Sequence, residues 1–218
     1  MLSKIGDILE SIRKSIQSYF DGLEGAEQTE EFIIRLENIS MLDSGGGGGL
    51  DEIQEGVLMS MVNVEEEKSL RYHEVYSQIP NASNGSQDEL AIHHSPTVPL
   101  NLYVLFVCHR KNHHKALNDL SRIVHFFQRK NVFVQEGSSL ASYANNVQAL
   151  SAIPSSVEQL NFELYSLSFE QSNHLWGILG GKYLPSVLYK VRLVKHKNLD
   201  RLSGRGRIMR ERGKSLSK

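Results

Sequence analysis

Segment 98–107, with the sequence VPLNLYVLFV, is the most apolar stretch of the chain. Its length and its content of β-branched residues are typical of a strand that is buried on both faces. Such a strand occupies the centre of a sheet. The segment therefore predicts a sheet that has 98–107 as its central strand.

Helix and strand patterns alternate on both sides of this segment. Apolar residues at three- and four-residue steps predict helices over 2–20 and 113–130, and Ser168 with Gln171 has the capping-box spacing that begins a third helix. Further strands are predicted at 32–42, 57–64, 131–135, 159–167 and 186–195, with long loops at 43–56, 77–97 and 137–156. This order of elements predicts an α+β domain, a small, mixed, largely antiparallel sheet flanked by two or three helices.

The length and the cysteine count limit the number of domains and the disulfides and metal sites that the chain can have. A chain of 218 residues corresponds to one domain with additions. With Cys108 alone there is no intrachain disulfide and no multi-cysteine metal site, which favours a reducing compartment. No apolar run reaches the length of a membrane span, and the N-terminus lacks the continuous apolar region of a secretory signal.

Charge is distributed unevenly along the chain. Residues 190–218 carry 11 Lys and Arg against Asp200 and Glu211, whereas the remainder carries 13 basic residues against 23 acidic ones. A basic tail with few apolar residues cannot bury a core of its own. We therefore expect a domain over 1–195 and a basic, flexible C-terminal arm over 196–218, which is either solvated or ordered on an acidic partner.

Histidine doublets are the most conspicuous candidates for a metal site. Adjacent residues on a strand or loop point to opposite sides, so a doublet rarely supplies two ligands to one ion. We therefore predict no metal site and no metal cofactor from the three pairs, which are His93-His94, Cys108-His109 and His113-His114.

Other apparent catalytic motifs have structural explanations. The glycines of 177–183 follow a predicted helix rather than precede one, and Tyr183 stands where a phosphate loop needs a hydroxyl for magnesium. Cys108 ends an apolar strand, where a thiol is usually inert. Glu65–Glu67 is typical of a solvated strand end. The chain is therefore predicted to have no catalytic residues and no cofactor.

Several stretches of the chain match one family. They are LNLYVLFV at 100–107, HFFQ at 125–128, NVFV at 131–134, LNFELYSL at 160–167 and NHLWGILGGKYLPSVLYKVR at 173–192. The chain resembles, over roughly residues 1–195, the N-terminal domain of the cap, or tail terminator, of extracellular contractile injection systems such as the Photorhabdus virulence cassette and the antifeeding prophage. The first helix, 32–42 and VNVEEE at 62–67 also fit.

The resemblance implies a structural protein rather than an enzyme, with a fold like that of phage tail terminators. Its members form a six-fold ring at the baseplate-distal end, where they stop the inner tube and hold the last layer of sheath. The implied partners are further copies of the chain, the tube protein, the sheath protein and a second cap-like protein, without a small-molecule substrate. The implied location is the bacterial cytoplasm during assembly, and then a phage-tail-like particle that is released or anchored to a membrane.

The basic arm gives two hypotheses about binding. Following the resemblance, its cations steer the arm to an acidic surface of the sheath or tube. The alternative is a nucleic-acid-binding module that acts through the same tail, although no aromatic residue follows Tyr189 to stack on bases. The residues expected to bind the partner are Lys190, Arg192, Lys195, Lys197, Arg201, Arg205, Arg207 and Arg210.

Overall fold

The computed structural model describes residues 5–22, 32–40, 55–67, 76–80, 89–93, 100–138, 145–150, 153, 157–180, 183–196 and 202–207. These residues include three helices and ten strands. The helices are α1 (Ile5–Asp21), α2 (His113–Arg129) and α3 (Phe169–Ile178). The strands are β1 (Ile34–Leu36), β2 (Gly56–Glu66), β3 (Tyr76–Pro80), β4 (Glu89–His93), β5 (Leu100–His109), β6 (Val132–Gln135), β7 (Val147–Leu150), β8 (Val157–Tyr165), β9 (Ser186–His196) and β10 (Leu202–Arg207).

Seven of the strands form one mixed, curled sheet in the order β1-β2-β5-β9-β8-β6-β7. Its five inner strands are antiparallel to one another, whereas β1 is parallel to β2 and β7 is parallel to β6. The other three strands form an antiparallel sheet in the order β10-β4-β3. The α+β class and the mixed, largely antiparallel sheet predicted from the sequence are confirmed.

Strand β5 lies in the interior of the seven-stranded sheet, and all residues from Asn101 to Cys108 are buried. Its alternate side chains enter two different cores. Leu102, Val104 and Phe106 pack in a cluster with the apolar faces of α1 and α2. On the opposite face, Leu105 packs in a second cluster with Trp176 of α3. The prediction of a strand buried on both faces is confirmed.

Helix α1 contacts both edge strands of the curled sheet, β1 and β7. Its apolar stripe, which includes Ile12 and Ile16, is fully buried in the core that α2 and the sheet also form. Tyr19 of α1 packs edge to face against Phe126 of α2, with ring centroids 5.1 Å apart. The helix therefore lies along the gap between the two ends of the sheet.

Helix α3 begins with the predicted capping box. The Ser168 hydroxyl accepts a hydrogen bond from the Gln171 N–H at 3.2 Å, and the Gln171 side chain accepts one from the Ser168 N–H at 3.0 Å. These bonds satisfy backbone donors that have no partner within the first turn. The helix ends at Ile178, and Gly180 takes a positive φ of 112°, as glycine after a helix commonly does.

Two of the predicted loops contain strands. Segment 77–97 includes most of β3 and all of β4, and segment 137–156 includes β7, so the loop predictions were wrong at these positions. These strands are only four or five residues long, too short for a clear sequence pattern, and they are extended through pairing with other strands. The strand predicted over 32–42 has only three residues, Ile34–Leu36, in the described part of the chain. Among the described helices, none has the length and apolarity to cross a bilayer.

The burial of Trp176 gives a test of the core beneath α3. Its side chain is 6% exposed, whereas Phe169, an aromatic residue of the same helix, is 98% exposed. Replacing Trp176 with alanine opens a cavity in the second core and should lower the free energy of unfolding by about 3–5 kcal/mol. Phe169→Ala, the matched control, should change it by about 0.5 kcal/mol or less. Denaturant titration of both variants checks this, and equal effects would contradict the assigned packing.

Candidate assembly interface

The face of the sheet that α3 covers changes from apolar to polar along its strands. Leu105 and Leu188 are opposite each other on β5 and β9 and pack in the cluster that contains Trp176. Further along the same face, Tyr103 is opposite Lys190 and Asn101 is opposite Arg192. We name this end of the sheet the polar face, and its members are Glu65, Glu67, Asn101, Tyr103, Glu163, Lys190 and Arg192.

A bulge in β2 brings two carboxylates to the polar face. The register with β5 shifts by one residue between Met61 and Asn63, so Val62 is the extra residue. Because side chains alternate along a strand, a one-residue shift exchanges the two faces. After the bulge, Glu65 lies opposite Asn101 instead of Leu100. The bulge therefore places acidic side chains beside the cations of β9.

The side chains of β2 and β5 on the polar face are hydrogen-bonded to each other. The Tyr103 hydroxyl donates to Glu65 Oε2 at 2.7 Å, and Asn101 Nδ2 donates to Glu67 Oε2 at 2.9 Å. Burial of the phenol and its bond to the Glu65 carboxylate raise the pKa of Tyr103 to about 12. The hydroxyl therefore remains a hydrogen-bond donor at neutral pH.

Two of the predicted partner-binding cations lie on the polar face, and each is paired with a carboxylate of the same chain. Lys190 Nζ is 3.7 Å from Glu67 Oε2, and Arg192 Nη2 is 3.0 Å from Glu163 Oε2. A carboxylate of a partner would compete with these pairs, so neither cation is an unshared charge. Their role in binding a partner stays a prediction.

The other predicted cations fall at or beyond the end of β9. The backbone of Lys195 belongs to β9, and the backbones of Arg205 and Arg207 belong to β10, which pairs with β4. Part of the predicted arm is therefore a paired strand. Lys197, Arg201 and Arg210 lie outside the described residues. The boundary between 1–195 and 196–218 stays a prediction.

Two buried polar atoms of the polar face have no hydrogen-bond partner within the described part of the chain. They are Asn101 Oδ1, an acceptor, and Arg192 Nε, a donor. The two residues are cross-strand partners on β5 and β9. Because buried polar groups are normally hydrogen-bonded, this pair can take a water or an amide group that both accepts and donates.

Large apolar side chains are exposed at both ends of α3. Phe169 lies at its first residue, Ile178 at its last, and Tyr183 follows the helix. All three are largely exposed, and the ring of Tyr183 is edge-on to the buried Trp176 with centroids 5.8 Å apart. Phe169 and Ile178 are nine residues apart and therefore point to opposite sides of the helix, so the three side chains are separate exposed apolar groups rather than one continuous patch. We name these three residues the α3 apolar rim.

The sequence patterns did not predict a buried ionic group in the first half of α2. Asp119 is almost fully buried, and its two oxygens accept hydrogen bonds from Arg110 Nε at 2.7 Å and Arg122 Nη1 at 3.1 Å. The arginines neutralise the carboxylate and hold the chain that leaves β5 against α2. The available signal was the position of Asp119, three residues after Ala116 and four before Ile123 on the apolar stripe of the helix.

The histidine doublets do not form a cluster in the described part of the chain. His109 is half-buried at the end of β5, while His113 and His114 are exposed at the start of α2. His93 lies in β4, and His94 is outside the described residues. No group of three His, Cys, Asp or Glu side chains suited to holding a metal occurs among the residues that the structure describes.

Comparison with known proteins identifies one domain family. The family described as the Pvc16 N-terminal domain matches residues 7–208. This range includes every described helix and strand except the first two residues of α1. No curated protein matched the sequence.

Two solved structures share the fold at low sequence identity. One is the sheath/tube terminator of an extracellular contractile injection system, PVC, in its extended state, with 13% identity and a TM-score of 0.50 over 100% of this chain. The other is the tube-terminating cap of the anti-feeding prophage, with 15% identity and a TM-score of 0.52 over 99% of this chain. The chain covers 66% and 61% of those two proteins, which is less than two thirds of either.

Cys108 is the thiol that the sequence suggested to be inert, and its environment gives a direct test. The side chain is fully buried in the core between the sheet and the helices. Burial, reinforced by the nearby Asp119 carboxylate, raises its pKa from 9.0 to about 12. We expect a thiol-reactive dye to leave the folded protein unlabelled near neutral pH and to label it fully in denaturant. Rapid labelling of the native chain would contradict the burial.

The same pKa shift predicts how stability depends on alkaline pH. Because the unfolded chain loses the thiol proton first, the stability that the neutral thiol contributes is present below pH 9.0 and is lost as the pH rises towards about 12. Cys108→Ala removes this contribution, so its free energy of unfolding should fall less steeply above pH 9.0 than that of the unsubstituted chain. Denaturant titrations at several alkaline pH values compare the slopes, and parallel slopes would contradict the shift.

Proposed function

The chain belongs to the Pvc16 N-terminal domain family, and on that basis we propose that it is a structural cap protein of a contractile injection system. In this role it ends the inner tube at the baseplate-distal end and anchors the last layer of sheath. The observation that carries the proposal is the family match over residues 7–208, which includes the central sheet and all three helices. The fold shared with a terminator and a cap supports it.

We propose that copies of the chain join into a closed, six-membered ring. A ring needs two different surfaces on each subunit, because neighbouring copies meet head to tail. The polar face and the α3 apolar rim supply two surfaces of different chemistry on one chain. The polar face has two ion pairs. It also has a donor, Arg192 Nε, and an acceptor, Asn101 Oδ1, that lack hydrogen-bond partners within the described residues. The apolar rim offers side chains whose burial against a neighbour would be favourable.

The basic segment after Lys195 is proposed as the arm that reaches the sheath. Its cations would steer the segment to an acidic surface and increase the rate of association. The pairing of β10 with β4 supports a segment that is able to add to a sheet by strand pairing. The inner tube, the sheath and a second cap-like protein are the proposed partners. Assembly in the bacterial cytoplasm is part of the same proposal.

Ring formation is tested by imaging the purified chain. We expect negative-stain micrographs to show annular particles with six-fold symmetry, and we expect tubes assembled with the chain to be shorter than tubes assembled without it. A monomer that leaves tube length unchanged would contradict the proposal. A monomer that retards duplex DNA, with a steep dependence on salt, would instead support the nucleic-acid alternative.

The arm is tested in whole particles with two variants. Truncation after Lys195 removes the segment together with β10, and we expect such particles to lose the cap. A full-length variant with Arg201, Arg205, Arg207 and Arg210 replaced by glutamine keeps the chain length and removes only charge. At low salt we expect a lower cap occupancy with this variant than with the unsubstituted chain. At raised salt the difference should become smaller, because salt screens the attraction that the arginines provide in the unsubstituted chain. Normal occupancy with the truncated chain would contradict the role of the arm.

A further inference from the structure

Helix α1 contacts the two edge strands of the seven-stranded sheet in different ways. At the β1 edge, Gln17 Nε2 donates to the Phe32 carbonyl at 2.7 Å and Gln17 Oε1 accepts from the Ile34 N–H at 3.0 Å. Arg13 Nη1 donates to the Ile34 carbonyl at 3.2 Å. Side chains of α1 therefore take the backbone groups that an added strand would need at β1.

At the other edge, no strand among the described residues pairs with the outward side of β7. The Asn146 and Leu150 carbonyls accept hydrogen bonds from Val132 and Glu136, so the even-numbered residues of this segment face β6. Because the pairing alternates along a parallel strand, Val147 and Ala149 direct their N–H and C=O groups away from the sheet. Within the described part of the chain, the one hydrogen bond to these four groups is a long one of 3.4 Å from Lys130 Nζ to the Val147 carbonyl.

A groove separates α1 from this open edge. Its volume is about 450 Å³, and it is lined by one side of α1 and by the two β7 side chains that point towards the helix. The α1 residues are mostly small, so space remains beside the strand. The lining residues are Ser11, Lys14, Ser15, Ser18, Tyr19, Gln148 and Leu150.

Lys14 is the charged residue among those that line the groove, and Asp7 lies one helical turn before Ser11 at its α1 end. Lys14 lines it with a side chain that is 69% exposed, Arg129 lies beside Tyr19, and Lys130 reaches the Val147 carbonyl. Glu10 accepts two hydrogen bonds of 2.7 and 2.8 Å from Arg13 and is 3.9 Å from Lys14 Nζ, so one carboxylate is shared by two cations and a net positive charge remains. Glu136 follows β6 at the Leu150 end and is the nearest exposed acid there.

We propose that the β7 edge and the α1 groove form a docking site for an extended, acidic strand of a partner protein. The strand adds to β7 through the backbone groups of Val147 and Ala149, and its carboxylates enter the groove beside Lys14. Main-chain pairing supplies the affinity, and charge selects the partner. The site rests on the proposed function only in that the partner is expected to be a protein of the particle.

Backbone amide exchange tests the edge directly in the full chain. In the isolated protein the Val147 and Ala149 amides should exchange rapidly with deuterium, whereas the Gln148 and Leu150 amides should be protected by β6. The probe is a short peptide of alternating valine and glutamate, and saturating peptide should slow exchange at Val147 and Ala149 alone. Protection of these two amides before the peptide is added, or no change afterwards, would overturn the proposal.

A matched pair of variants separates strand addition from general binding. Ala149→Pro removes an outward N–H and leaves the bonds to β6, so it should weaken peptide binding by about tenfold. Ala149→Val keeps the N–H and should bind as the unsubstituted chain does. Lys14→Glu should reverse the preference towards a peptide of alternating valine and lysine. Equal binding by the proline and valine variants, with both folded by thermal melting, would overturn the proposal.

The same measurements keep this inference apart from the proposed function. A chain that forms six-membered rings and shortens tubes, but whose Val147 and Ala149 amides stay exposed in assembled particles, has the proposed function without this docking site. A chain that binds the acidic peptide but forms no ring has the docking site without the proposed function.

Discussion

Both faces of β5 are removed from water, and the rest of the architecture follows from this constraint. A strand that is apolar on both sides is stable only between two packed layers. Helices α1 and α2 cover one face, and α3 with Trp176 covers the other over the half of the strand that carries Leu105 and Val107. On the remaining part of the second face, no helix of the described residues covers the strand. There Tyr103 and Asn101 donate hydrogen bonds to Glu65 and Glu67, while Asn101 Oδ1 has no hydrogen-bond partner within the described residues.

The position of α1 determines which sheet edge can accept a new strand. The sheet curls so that its first and last strands both contact this helix. Gln17 and Arg13 bond directly to the backbone of β1, whereas on the β7 side the helix presents small serines such as Ser15 and leaves a groove. An exposed strand edge is a risk of aggregation unless it is covered or used. One edge is covered by α1, and for the other we have inferred a use.

The ionic groups of the chain serve two different purposes. Asp119 is buried and accepts hydrogen bonds from both Arg110 and Arg122, which offset the cost of removing its carboxylate from water. Lys190 and Arg192 are paired with Glu67 and Glu163 on the polar face. The first group stabilises the fold, whereas the more exposed Arg192–Glu163 pair contributes little to stability and is the one that we propose for an interface.

The sequence alone determined the central strand, the three helices, the capping box of Ser168 and the family, because each depends on local periodicity or on a long continuous match. It could not reveal β7 or β4, whose residues become strands only by pairing with distant segments. It also could not place Glu65 beside Asn101, because the bulge at Val62 changes which face the carboxylate occupies. The polar face, the groove at β7 and the buried Asp119 pairs were decided by tertiary structure, since each combines residues that lie on different elements and whose register no local pattern encodes.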